Sequence, residues 1–198
     1  MIGTTVSITR CYKKNPKFGL PRIRLFSSLL LSLLTPHAQA IEITFAELKA
    51  TEESYVVNTN IDMQLSPMLE DALNKGVALY FRMEFELMQP RWYWFDKVIA
   101  RESQEFKLSY NALTRQYRLN IGSLYQSFAT LHEALAVMSR LRNWAVADRK
   151  ALHKDTAYAA NLRMRFDVSQ LPKPFQVDAL ASREWNVSSD WYRFKVVL

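Results

Sequence analysis

The chain has 198 residues with 26 Lys plus Arg, 19 Asp plus Glu, three histidines and one cysteine, for a formal net charge of +7. That balance raises nucleic acid as a partner, yet six of the cations (Arg10, Lys13, Lys14, Lys17, Arg22 and Arg24) precede residue 40 in a stretch without an acidic residue. Taking those six from 26 leaves 20 cations against 19 anions, a net charge of +1 that gives no footprint for a phosphate backbone.

The six cations lead into an apolar run from Leu25 to Leu34, then Thr35, Pro36 and the small-x-small tripeptide Ala38, Gln39, Ala40. This order predicts a secretory signal peptide over residues 1–40, cut between Ala40 and Ile41. A membrane span needs about 20 apolar residues. This run is about half that and is broken by Ser27, Ser28 and Ser32, so no span is expected after cleavage. Cys11 leaves with the leader, and residues 41–198 form a single cysteine-free exported domain that depends on its core rather than on disulfides.

Ile41 to Ala50, with Ile43, Phe45 and Leu48 among polar residues, predicts a first strand that turns back through Thr51 to Ser54. From Tyr55 to Leu65 the odd positions Tyr55, Val57, Thr59, Ile61 and Met63 alternate with Val56, Asn58, Asn60, Asp62 and Gln64, the period of a half-buried strand. Ser66 as N-cap, Pro67 at the first helical position and Gly76 after the last turn bound a short helix over 66–75. Alternation then resumes, with Val77, Leu79, Phe81, Met83, Phe85 and Leu87 inward and Tyr80, Arg82, Glu84 and Glu86 outward.

Gln89, Pro90 and Arg91 break that strand. Trp92 to Arg101 is expected as a fourth strand, aromatic on both faces at first, which suggests burial on both sides or an aromatic end of the sheet. Glu105 to Tyr110 and Gln116 to Ile121 read as a hairpin, and Thr130 with Glu133 makes a capping box for a helix over Leu131 to Leu141. Trp144 to Leu152 is expected as a short strand plus loop. Tyr158 to Val168 alternates again, with Tyr158, Leu162, Met164 and Phe166 inward and Asn161, Arg163, Arg165 and Asp167 outward. Leu171 to Pro174 is expected as a stiff connection, and Arg183 to Val187 and Trp191 to Val197 as closing strands. Many short strands with two short helices predict a mainly β, antiparallel sandwich-like domain. The alternative is an α+β arrangement with the helices on one face of an antiparallel sheet.

Catalytic patterns are sparse. His132 and Glu133 begin a zinc-helix motif, but position 136, where a second imidazole is required, is Ala136. Only Gly76 and Gly122 remain after cleavage, too few for a phosphate-cradling loop, and no G-x-S-x-G elbow exists. No metal and no cofactor is therefore expected. Glu84, Glu86, Asp167 and His153 are the residues a hydrolase would have to use. Arg82 on the same strand face as the two glutamates, and Arg163 and Arg165 as a matching stripe in another strand, favour instead a solvated cross-strand charge pattern. Trp92, Trp94 and Trp191 are the residues expected to furnish an interaction patch, and Trp185 belongs to the same conspicuous set.

The exported start, the helix around Leu131 to Leu141, the run Tyr158 to Asp167 with Arg163, the segment Leu171, Pro172, Lys173, Pro174, and the closing Trp185, Ser189 and Trp191 resemble the domain-of-unknown-function 4390 family of exported Gram-negative proteins. The resemblance covers essentially all of residues 41–198. It implies a periplasmic location, no assigned catalytic residues, and genes often beside that of a membrane sensor histidine kinase of the nitrogen-regulation type. Together these readings lead to the expectation of a non-catalytic protein-binding or accessory module that touches an envelope or inner-membrane protein such as a sensor kinase. An envelope hydrolase or small-ligand-binding protein is the alternative.

Overall fold

The computed structural model describes residues 41–153 and 156–196. Ala38 and Ala40 of the expected leader lie outside the described residues, whereas Ile41 begins the first strand and is fully buried.

Strands β1 (Ile41–Ala50) and β2 (Ser54–Met63) form the expected hairpin, followed by helix α1 (Pro67–Asn74) and strands β3 (Leu79–Gln89), β4 (Lys97–Asn111), β5 (Gln116–Ile121) and β6 (Leu124–Phe128). Helix α2 (Leu131–Met138), strands β7 (Arg140–Asp148) and β8 (Tyr158–Phe166), helix α3 (Lys173–Ala181) and strand β9 (Tyr192–Val196) complete the order. The strands make two antiparallel sheets, one ordered β1-β2-β7 and the other β6-β5-β4-β3-β8-β9. The domain is thus mainly β and sandwich-like, with the larger sheet built outward from the β3–β4 and β3–β8 pairs.

The alternation in β3 explains its central place. Leu79, Phe81, Met83, Phe85 and Leu87 are all within 1% of full burial, and Tyr158, Leu162, Met164 and Phe166 of β8 join them as expected. Across the layers, Phe85 meets Trp144 of β7 edge-on at 6.2 Å between ring centroids, while Val57 and Ile61 of β2 enter the same core. Ser66 Oγ accepts the Leu69 amide at the start of α1, and Gly76 at φ +89° takes the left-handed position after it. At α2 the Thr130 hydroxyl accepts the Glu133 amide, and the Glu133 carboxylate accepts the Thr130 amide in return, so the capping box is present.

Several expectations give way. Three helices, not two, stand among the described residues, because Lys173–Ala181 follows Pro172 as α3, with Pro174 inside its first turn where a proline costs no hydrogen bond. Helix α2 stops at Met138, and Leu141 is instead a buried residue of β7. Residues 183–185 form a 3-10 turn rather than a strand, with Trp185 buried between Phe166 and Phe175. Strand β6 was not expected. The fourth strand expected from Trp92 is corrected most: residues 92–95 form a bend, and β4 runs as one strand from Lys97 through the two separate strands the sequence suggested.

Candidate functional site

The register of β3 with its neighbours determines what the outer face of the larger sheet carries. Arg82 is opposite Glu105 on one side and Arg165 on the other, Glu84 is opposite Ser103 and Arg163, and Glu86 is opposite Arg101 and Asn161. A charged lattice results. Arg163 Nη2 donates to Glu84 Oε2 at 2.6 Å and Arg165 Nε to Glu84 Oε1 at 2.8 Å, so both carboxylate oxygens are engaged by guanidinium groups. Burial pushes the Glu84 carboxyl up, but the hydrogen bonds from Arg163 and Arg165 outweigh it and hold the group below the usual glutamate range. Arg101 Nε lies 3.0 Å from Glu86 Oε1.

Arg82 Nη2 donates to Glu105 Oε1 at 2.6 Å and lies 3.2 Å from Asp167 Oδ2. Asp167 is only 6% exposed, which corrects its expected outward position. Its Oδ1 accepts from the Ser169 hydroxyl at 2.6 Å and from the Ser169 amide, because the chain leaves β8 there and turns back under the side chain. Two shallow depressions cross this face. One, of about 460 Å³, runs between Arg101, Glu86 and Trp191, and the other, of about 530 Å³, lies among Arg82, Arg165, Asn186 and Ser188.

The four hydrolase residues do not converge on a catalytic geometry. Glu84 is an ionised acceptor held by two arginines, Glu86 is paired with Arg101, and Asp167 is tied to Arg82 and Ser169. His153 is exposed on the loop before β8, where its backbone amide donates to the Tyr158 hydroxyl. His132 is exposed on α2 beside the capping Glu133. Among the described residues there is no group of three or more His, Cys, Asp or Glu that could hold a metal ion.

The tryptophans separate into two kinds. Trp185 is 3% exposed and Trp144 packs on Phe85, so both belong to the interior. Trp191 is 41% exposed on the outer face, with the Arg163 guanidinium 4.4 Å above its ring, which links it to the Glu84 clamp. Trp92 and Trp94 occupy the tip of the β3–β4 hairpin with Tyr93 and Phe95, and the four are 95%, 69%, 66% and 84% exposed in that order. Trp92 stacks edge-on against Tyr93 and Trp94 against Phe95, at 5.3 and 6.0 Å between centroids. The tip is tied at its base. Asp96 Oδ1 accepts the Arg91 amide, and Asp96 Oδ2 accepts from Arg193 Nη2 of β9 at 3.2 Å.

Trp92, Trp94 and Trp191 were expected as the patch, but Trp92 to Phe95 were all expected within a strand, and the Asp96–Arg193 brace was not expected. No periodicity marks a pair 97 positions apart, since only the β3–β8–β9 order brings the two together.

The model of the family described as "Domain of unknown function (DUF4390)" matches residues 38–195. No curated protein and no solved structure matches the chain.

Proposed function

The chain belongs to the DUF4390 family, and from that premise we propose that it is an exported, non-catalytic accessory module that binds an envelope protein at the membrane surface. The observation that carries this reading is Trp191, which is 41% exposed on the charged outer face of the larger sheet with the Arg163 guanidinium over its ring. A large aromatic ring left in water costs free energy that docking recovers, at about 25 cal/mol per Å² removed from solvent. Rings of this kind are the residues that anchor interfaces. Trp191 stands on a face of paired charges, where Arg163, Glu84, Glu86 and Arg101 would set register against a partner of complementary pattern.

The external part of a membrane sensor kinase is the partner proposed, on the strength of the family's gene neighbourhood alone. The engagement of Glu84, Glu86 and Asp167 by arginines supports a binding role over hydrolysis, because none of them is left as a free acid or base.

A photo-crosslinking amino acid at position 191, expressed in intact cells, is expected to capture one envelope protein repeatedly, and capture should fall when Arg163 and Arg101 are both changed to Glu. Capture of nothing, or of the same protein after the charge reversal, removes the support for this reading.

A further inference from the structure

The tip of the β3–β4 hairpin differs from an ordinary docking patch. Protein hot spots sit at the centre of a flat area and are ringed by residues that exclude water. Here four consecutive aromatic side chains, each at least 66% exposed, stand on one turn as two edge-on pairs, Trp92 with Tyr93 and Trp94 with Phe95. A rigid protein surface would have to form a socket around such a tip, whereas a fluid interface closes around it without one. The composition agrees, since Trp and Tyr favour the boundary between headgroups and acyl chains, where the ring is buried and its N–H or O–H stays wet.

Charge supports the same reading. Arg91 and Lys97 flank the tip, and Arg193 and Lys195 lie on the outer side of β9 at the adjacent end of the sheet. Against these four cations stands the Asp96 carboxylate, already engaged by Arg193. The smaller sheet ends nearby in Asp148, followed by Arg149 and Lys150, with Glu52 and Glu53 of the β1–β2 turn beside them, so that edge carries no excess of cations and the excess is confined to the tip and β9. Residues 41–198 as a whole are close to neutral, whereas the four cations around the tip face one engaged carboxylate, a local excess of positive charge that anionic headgroups would attract.

We infer that the 91–97 tip is a peripheral membrane anchor: Trp92, Tyr93, Trp94 and Phe95 enter the interfacial zone of an anionic bilayer while Arg91, Lys97 and Lys195 meet its headgroups. The anchor rests on the proposed export to the envelope. It gives Trp92 and Trp94 to lipid and leaves Trp191 and the charged sheet face for the protein partner. The Asp96 ties to the Arg91 amide and to Arg193 connect the base of the tip to β9 of the larger sheet, so insertion would also orient that face.

The test uses residues 41–198, which contain the entire described core. The protein is co-sedimented with vesicles of phosphatidylethanolamine plus a minority of phosphatidylglycerol, and with phosphatidylcholine vesicles, while tryptophan emission is followed with bromine-labelled lipid as quencher. Partitioning into the anionic vesicles with quenched, blue-shifted emission is expected. Trp92→Ser with Trp94→Ser should reduce partitioning by at least roughly tenfold, given the area of two indoles. Trp191→Ser should leave it unchanged, and Arg91→Ser with Lys97→Ser should narrow the preference for anionic over neutral vesicles. Near-ultraviolet circular dichroism checks that each variant keeps its fold. Absence of partitioning at low salt, or equal partitioning of the double tryptophan variant, overturns the anchor. Crosslinking at position 191 reads the protein partner separately, so loss of vesicle binding with capture intact rejects the anchor alone, and the reverse rejects the partner alone.

Discussion

Glu84 shows how a residue that looks like an acid catalyst is turned into a structural acceptor. Its carboxyl is held below the usual range by Arg163 and Arg165 against the opposing effect of burial, so its folded-state pKa lies below its unfolded one. For a group depressed in this way, stabilisation is fully present above the unfolded pKa and is lost as pH falls through the folded value. Glu84→Gln is therefore expected to unfold at lower urea concentration than the parent at pH 7, with the difference shrinking as pH drops below the usual glutamate range; a gap that stays constant down to pH 3 would show that the clamp contributes nothing through its charge. Phe81 and Arg82 test the two faces of the same strand. Phe81→Ala removes a ring that is 1% exposed and packs 5.3 Å from the Phe166 ring, and should cost about 3 to 5 kcal/mol. Alternation alone makes Arg82 an outward residue whose loss costs little. Its contact with the buried Asp167 changes that, because Arg82→Ala takes a cationic partner from a carboxylate that water scarcely reaches, at a cost of about 1 to 3 kcal/mol. Urea unfolding of the two variants checks both magnitudes.

Strands β3 and β8 and helix α1 were legible because in each the burial period and the end signals agree, as with Ser66, Pro67 and Gly76 around α1, whereas Val56 and Asn58, expected on the wet face of β2, are buried because β2 is the central strand between β1 and β7. Replacing Gly76 by Ala should cost about 1 to 2 kcal/mol through the left-handed backbone alone, since nothing lies within 4 Å of where the new methyl would stand. Thr130→Ala should cost about 1 kcal/mol by freeing the Glu133 amide. Both are read from chemical denaturation, and a larger loss at Gly76 than at Thr130 is the expected order. The failures have local causes too. Trp92 to Phe95 carry the aromatic bias of a strand, yet that bias reflects packing against neighbours, and the turn at Pro90 and the Asp96–Arg91 bond leaves these rings 66% to 95% exposed. Helix α3 was hidden because two prolines near its start look like a rigid connector, and the sequence lacks the apolar stripe that would have offset them. The functional residues were legible as residue types only. Exposure of Trp92 against burial of Trp185 depends on strand order, which no single segment encodes.

Export joins these observations into one expectation about the protein in its cell. Six cations, with no acidic residue in the same stretch of sequence, and the apolar run precede residue 40, while among the described residues Ile41 is fully buried and opposite Met63 in the β1–β2 pair. Ile41 and Ile43 are buried opposite Met63 and Ile61, so a cut beyond Ile43 would remove side chains of the core. The buried side chain of Ile41 at the start of β1 argues against a cut several residues inside the strand. Intact-mass measurement of the periplasmic fraction should therefore give the mass of residues 41–198, and the fragment should unfold in one cooperative transition, as a domain with a single core does. A full-length mass in that fraction, or a product beginning beyond Ile43 that still folds, would contradict the argument. The first would mean that the leader is retained. The second would mean that the Ile41–Met63 and Ile43–Ile61 pairs are dispensable to β1, against their burial in the core.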